Sequence, residues 1–169
     1  GEVGALAALK KQRDLCRYIH DQTLRLANLG LGPDEIAESI ELPASLAQEF
    51  HCRDYYGTLK HNAKAVYVKY LGFFDGNPAN LDAHPPRQRA LRYVEFMGGS
   101  DAIMERCQQC FADGDYRWVA EVLNHLVFAE VDHLPARSML ADAYEQMGYQ
   151  AESGPWRNFY LCGALELRQ

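Results

Sequence analysis

"GDYRWVAEVLNHLVFAEVDHLPARSMLADAYEQMG", residues 114–148, opens and closes on glycine. Two helices are predicted between those glycines, "YRWVAEVLNHLVFAEV" and "LPARSMLADAYEQM", with a short join at Asp132–His133. Gly114 stands after one helix and before the next in "FADGDYRWVAEVL", and "YEQMGYQAES" repeats that arrangement at Gly148. Small residues at Ala120, Ala129, Ala136, Ala141 and Ala143 allow two such helices to approach closely.

The two glycines are 34 residues apart, the period of the tetratricopeptide repeat. The segment resembles that repeat, with Pro135 only approximating its usual proline. Beyond it, Ser153 as cap and Pro155 in the first turn start a further helix in "ESGPWRNFYLCGALEL". Before it, Ser100 is the expected cap of a helix that turns Ile103, Met104, Cys107 and Phe111 inward. A helix from about Pro86 to Met97 ends at Gly98–Gly99, and "DGNPANLDAHPP" reads as a loop.

The N-terminal part follows the same logic. Leu15, Ile19, Leu26 and Leu29 recur at helical spacing until Gly30 and Gly32 end the pattern. Pro33 opens a short helix, with Asp34 and Glu35 beside its N-terminal dipole and Ile36, Ala37 and Ile40 on its buried side. Pro43 opens another, with Leu46, Ala47 and Phe50 as its inner face. Alternation of period two is never sustained, so no strand is predicted. The expected architecture is all-α, one domain over 1–169. It comprises a lead-in helix over 1–30, a helical section over 31–99 and tetratricopeptide-like helix pairs over 100–169.

Composition sets the outer bounds. The chain has 169 residues, enough for a sizeable core, with 48% hydrophobic and 24% charged residues. A net charge of −6 disfavours broad attraction to nucleic acid or an anionic membrane. No apolar run approaches the ~18 residues of a membrane span. The chain begins at Gly1 with no signal-like segment, which reads as a cut or processed fragment whose compartment stays open. Five cysteines at scattered spacing suggest no disulfide framework. Cys107 and Cys110 form a C-x-x-C inside a helical pattern, but zinc would need two further ligands, and His125 and His133 have no evident place beside them. The thiols read as small apolar groups on a helix face.

Two stretches invite a functional reading. "LGPDEIAESIELPASL" has the look of a helix-turn-helix, yet residues 33–50 hold no Lys or Arg and five acids, a surface that repels a duplex. "YYGTLKHNAKAVYVKYLGFFDGNPAN", residues 55–80, is more informative. Thr58 caps a helix over Leu59–Leu71, with Gly72 beyond. Leu59, Ala63, Val66, Tyr67 and Tyr70 fall within roughly a 100° arc, the core stripe. His61 points almost opposite, beside Ala65 and Val68, with Asn62 on the flank. Both sit in the first turn, where free backbone amides and the dipole favour an anion, and Lys60 and Lys64 add positive charge. A solvated surface and an anion contact are both compatible with this arrangement. No complete catalytic set is present: there is no histidine-rich zinc motif, no G-x-S-x-G and no phosphate-binding glycine loop.

"RYIHDQTLRLAN", "YYGTLKHNAKAVYVKYLGFFDGNPANL", "YVEFMGG", "GDYRWVAEVLNHLVFA" and "GYQAESGPWRNFYLCGA" together resemble the alkyl sulfatases of the metallo-β-lactamase superfamily. The likeness runs from about Lys11 to Arg168 and falls on the helical dimerisation domain of those enzymes. It implies a homodimer whose subunits interlock through this domain. It also implies an upstream metallo-β-lactamase domain with two zinc ions, a lipid-carrier-like domain downstream, and hydrolysis of alkyl sulfate esters to alcohol and sulfate. This chain by itself is then expected to hold no zinc and to turn over nothing. His61 and Asn62 are implied as sulfate contacts where the domain closes over the cleft, with Tyr56 from the same string as a further candidate. Phe73 and Phe74 occupy positions where a tyrosine is common at one of the two, so no hydroxyl contact is assigned there.

The rival reading is a freestanding tetratricopeptide-like scaffold that binds protein partners. Against it stand the single full repeat plus an incomplete one, fewer than the roughly three a solenoid needs, and the aromatic particularity of residues 55–80.

Overall fold

The computed structural model describes residues 2–169, with side chains from Gly4 onward. Among these residues every regular element is helical. The chain divides into two compact units, Gly1–Leu81 and Asp82–Gln169. No helix is long and apolar enough to cross a membrane.

The first unit contains α1 (Glu2–Asn28), α2 (Pro33–Ser39), the one-turn α3 (Ala44–Ala47), a 3-10 turn at Phe50–Cys52 and α4 (Leu59–Leu71). Gly30, at φ 90°, reverses the chain after α1. α2 starts where Pro33 fits the first turn, and the Glu35 carboxylate accepts the Gly32 N–H at 2.8 Å, half of a capping box. α4 packs on α1 and α2 around Leu26, Ile36, Ile40, Ala63 and Tyr67. Polar braces add to this small core. Tyr18 Oη donates to the Glu41 carbonyl at 2.7 Å, and Lys11 Nζ donates to the Ser45 carbonyl at 2.7 Å while pairing with Glu49.

Three expectations in this unit are corrected. Ala47 is exposed and Phe50 is 73% exposed, so only Leu46 of the expected inner face is buried. The segment is too short for a stable amphipathic stripe: α3 is four residues long, and Phe50 has already passed into the 3-10 turn. Tyr70 is exposed rather than core, and its hydroxyl lies 2.9 Å from His20 Nε2. Leu29 falls beyond the end of α1 and is likewise exposed.

The second unit contains α5 (Pro86–Phe96), α6 (Ser100–Ala112), α7 (Tyr116–Ala129), α8 (Leu134–Gln150) and α9 (Gly154–Leu167). α7 packs on α5, α6 and α8, and α8 runs along α9. Ile103, Cys107, Val119, Leu123, Leu126 and Leu140 are among its core residues. Asp115, His133 and Ser153 cap α7, α8 and α9 through their side chains, accepting the N–H groups of Trp118, Ala136 and Trp156. Ser100, the expected cap of α6, is instead its first helical residue, and its hydroxyl bonds the Glu130 carboxylate.

Gly114 and Gly148 turn out not to be equivalent. Gly114 has φ 82° and ends its helix. Gly148 lies buried inside α8, where a Cβ would meet Leu161 at 3.0 Å. It allows α9 to come close instead of stopping α8.

Candidate functional site

The start of α4 carries the residues singled out in the sequence. Thr58 is buried, and its Oγ1 accepts the His61 N–H at 3.1 Å while its carbonyl accepts the Asn62 N–H at 2.8 Å. Asp54, which the sequence reading passed over, accepts the Leu59 N–H at 3.1 Å. Several of the first-turn amides are thus already bound, and a carboxylate occupies the positive end of the helix. That overturns the expectation of free N–H groups awaiting an anion. The lysines are engaged as well. Lys60 Nζ pairs with Glu38 at 2.7 Å, and Lys64 pairs with Asp34, both acids belonging to α2.

The side chains themselves remain at the surface. His61 and Asn62 are both exposed, and Tyr56 is among the most open aromatic residues of the unit. Asn62 lies over Gly57: a Cβ there would stand 3.1 Å from its Oδ1 and 3.3 Å from its Nδ2. Gly57, next to the cap Thr58, leaves room for that amide. A glycine immediately before a capping residue was the available sequence signal for it.

Other titratable groups form no catalytic set. His20 sits between Asp21 (Nδ1 to Oδ1, 2.8 Å) and the Tyr70 hydroxyl, and its hydrogen bond holds the Asp21 carboxyl below the usual range, helped by Arg17. His125 stacks on Tyr93 with centroids 4.5 Å apart, and burial lowers its pKa. Cys107 is buried, which pushes its thiol up to about 11 and leaves it protonated and unreactive near neutrality. Among the described residues no group of three or more His, Cys, Asp or Glu could hold a metal ion.

In the second unit, a groove of about 460 Å³ opens between α7, α8 and α9. Val127, Leu140, Phe159 and Leu167 line it, with Asn124 and Glu166 as polar members. Tyr144 and Tyr160 also line it, and burial raises the Tyr144 phenol above its ordinary value.

Residues 32–169 match the family described as alkyl sulfatase dimerisation. The chain belongs to that family. It is 59% identical over 160 residues to a linear primary-alkylsulfatase of Pseudomonas sp, covering 95% of this chain and 24% of the relative. An alkyl/aryl-sulfatase of Saccharomyces cerevisiae is 55% identical over 169 residues, which is 100% of this chain and 26% of that one. The fold is similar to that of a stereoselective inverting sec-alkylsulfatase from Pseudomonas sp., with a TM-score of 0.93 at 48% identity over 95% of this chain and 26% of that structure. The chain thus spans about a quarter of the length of the relatives it matches.

Proposed function

We infer that this chain is the domain through which two subunits of an alkyl sulfatase associate, and that it lends a cleft wall to an active site built mostly elsewhere. The reaction is hydrolysis of an alkyl sulfate ester to the alcohol and sulfate. His61 and Asn62 donate hydrogen bonds to the sulfate oxygens, with the Tyr56 phenol as a further donor. Two zinc ions, which would activate the attacking water, belong to an upstream metallo-β-lactamase domain. The residues described here offer no group to hold them. Solvent-exposed donors hold an anion weakly, so the contact depends on closure against the catalytic domain, which removes water and strengthens each bond. The helices α6 to α9 are read as tetratricopeptide-like pairs, supported by the packing of α6 on α7 and α8 on α9 and by the small residues Ala136, Ala143 and Gly148.

One observation carries the association: large apolar side chains stand bare on this surface. In the second unit Phe96 and Phe159 are 90% and 81% exposed, and Trp118 and Tyr149 are more than half exposed. Aromatic rings are enriched at protein–protein interfaces, and a second subunit is a partner that would cover them. Sedimentation equilibrium of the chain tests this, with a dimer expected. A single monomeric species at high protein concentration would contradict the reading.

A further inference from the structure

α4 is apolar on two sides, and only one of them is used by the core. Ala63 and Tyr67 are buried against α1 and α2. The opposite side carries His61, Ala65, Val68 and Gly72, which lie within about 60° of one another at 100° per residue. All four are exposed, and Phe73 follows directly at the end of the row. An amphipathic surface helix normally shows charge on the side away from the core.

The flanking cations do not cover this row. Lys64, on one edge, reaches to Asp34, and Lys60 reaches to Glu38, both towards α2. Lys69, on the other edge, lies over the Tyr70 ring at 5.6 Å. Long cationic side chains often lay their stems across exposed apolar surface. Here they are held aside, leaving a polar head at His61 and an apolar track behind it.

From this arrangement we propose that the outer side of α4 is the track for the hydrocarbon tail of the alkyl sulfate, with Ala65, Val68 and Phe73 setting chain-length preference. The proposal rests on the reading of His61 and Asn62 as sulfate contacts. The helix runs about 15 Å from His61 to its end, roughly the span of an extended chain of ten to twelve carbons. One molecule laid along α4 with its sulfate at His61 would meet Ala65 after one turn, Val68 after two and Phe73 at the tail end. Its charge and its hydrocarbon are ordered in the same sense as the row.

The test uses the full-length enzyme and a series of linear alkyl sulfates from butyl to dodecyl. Each methylene held against an apolar surface can contribute up to roughly fourfold in kcat/KM. Val68→Ser and Phe73→Ser, made separately, are expected to lower the ratio of dodecyl to butyl kcat/KM about tenfold. His61→Ala is expected to lower kcat/KM by a similar factor at every chain length. If His61→Ala acts uniformly while both serine variants leave the chain-length ratio unchanged, the tail track is wrong and the sulfate contact stands. If the serine variants depress all chain lengths equally, or convert the enzyme to monomers, the row belongs to a protein–protein contact and the proposal fails. If His61→Ala changes nothing, the sulfate reading falls first.

Discussion

The two units differ in how large a core each one closes. The second unit is closed by tight packing. Val119, Leu123 and Leu126 are inaccessible, Ala136, Ala141 and Ala143 admit neighbouring helices, and the missing side chain of Gly148 is filled by Leu161. The first unit has a smaller core, and its exposed pairs such as Lys60–Glu38 and Lys64–Asp34, like those of Arg168 with Asp142 and Glu145 in the second, individually contribute little. It also buries the Thr23 hydroxyl without a partner among the described residues. The difference lies in how much apolar surface each unit closes off, the second having the larger core.

That comparison can be broken by mutation. Leu123→Ala, at the centre of the second unit, is expected to cost about 2–5 kcal/mol, read by urea unfolding of the chain. A loss under 1 kcal/mol would mean the core is not closed as described. In the first unit Thr58→Ala removes the cap of α4 and is expected to cost about 1–2 kcal/mol, with loss of hydrogen-exchange protection at the His61 amide. Unchanged protection there would show that Thr58 does not fix the start of the helix. The smallest effect has the opposite sign. Thr23→Val replaces an unpartnered buried hydroxyl with a methyl and is expected to gain about 1 kcal/mol in the same unfolding measurement. A loss of stability would show that the hydroxyl is satisfied.

Local chemistry was legible in the sequence, and long-range pairing was not. α4 runs from Leu59 to Leu71 as predicted, because Thr58 and Gly72 mark its ends whatever surrounds them. Pro33, Ser153 and Pro155 gave their helix starts for the same reason. Gly148 was misread as a helix end. Its role is close approach to Leu161, which no local signal encodes. Tyr70 falls on the core side of a helical wheel, yet its hydroxyl meets His20, 50 residues earlier, at the surface. The positive charge expected around His61 is neutralised by Glu38 and Asp34, on a helix separated from α4 by two further elements. The outward direction of His61 and Asn62 followed from helix geometry alone; the closure of the α4 terminus by Asp54 did not.

The proposed function stands or falls on His61 taking part in the handling of a sulfate ester. The direct measurement is kcat/KM of His61→Ala in the full-length enzyme on an alkyl sulfate, with zinc content measured on the same preparation. A loss of at least about tenfold in kcat/KM is expected, the scale of a hydrogen bond to a charged group, with zinc unchanged. Kinetics equal to the parent enzyme, or a loss that tracks missing zinc, would contradict it.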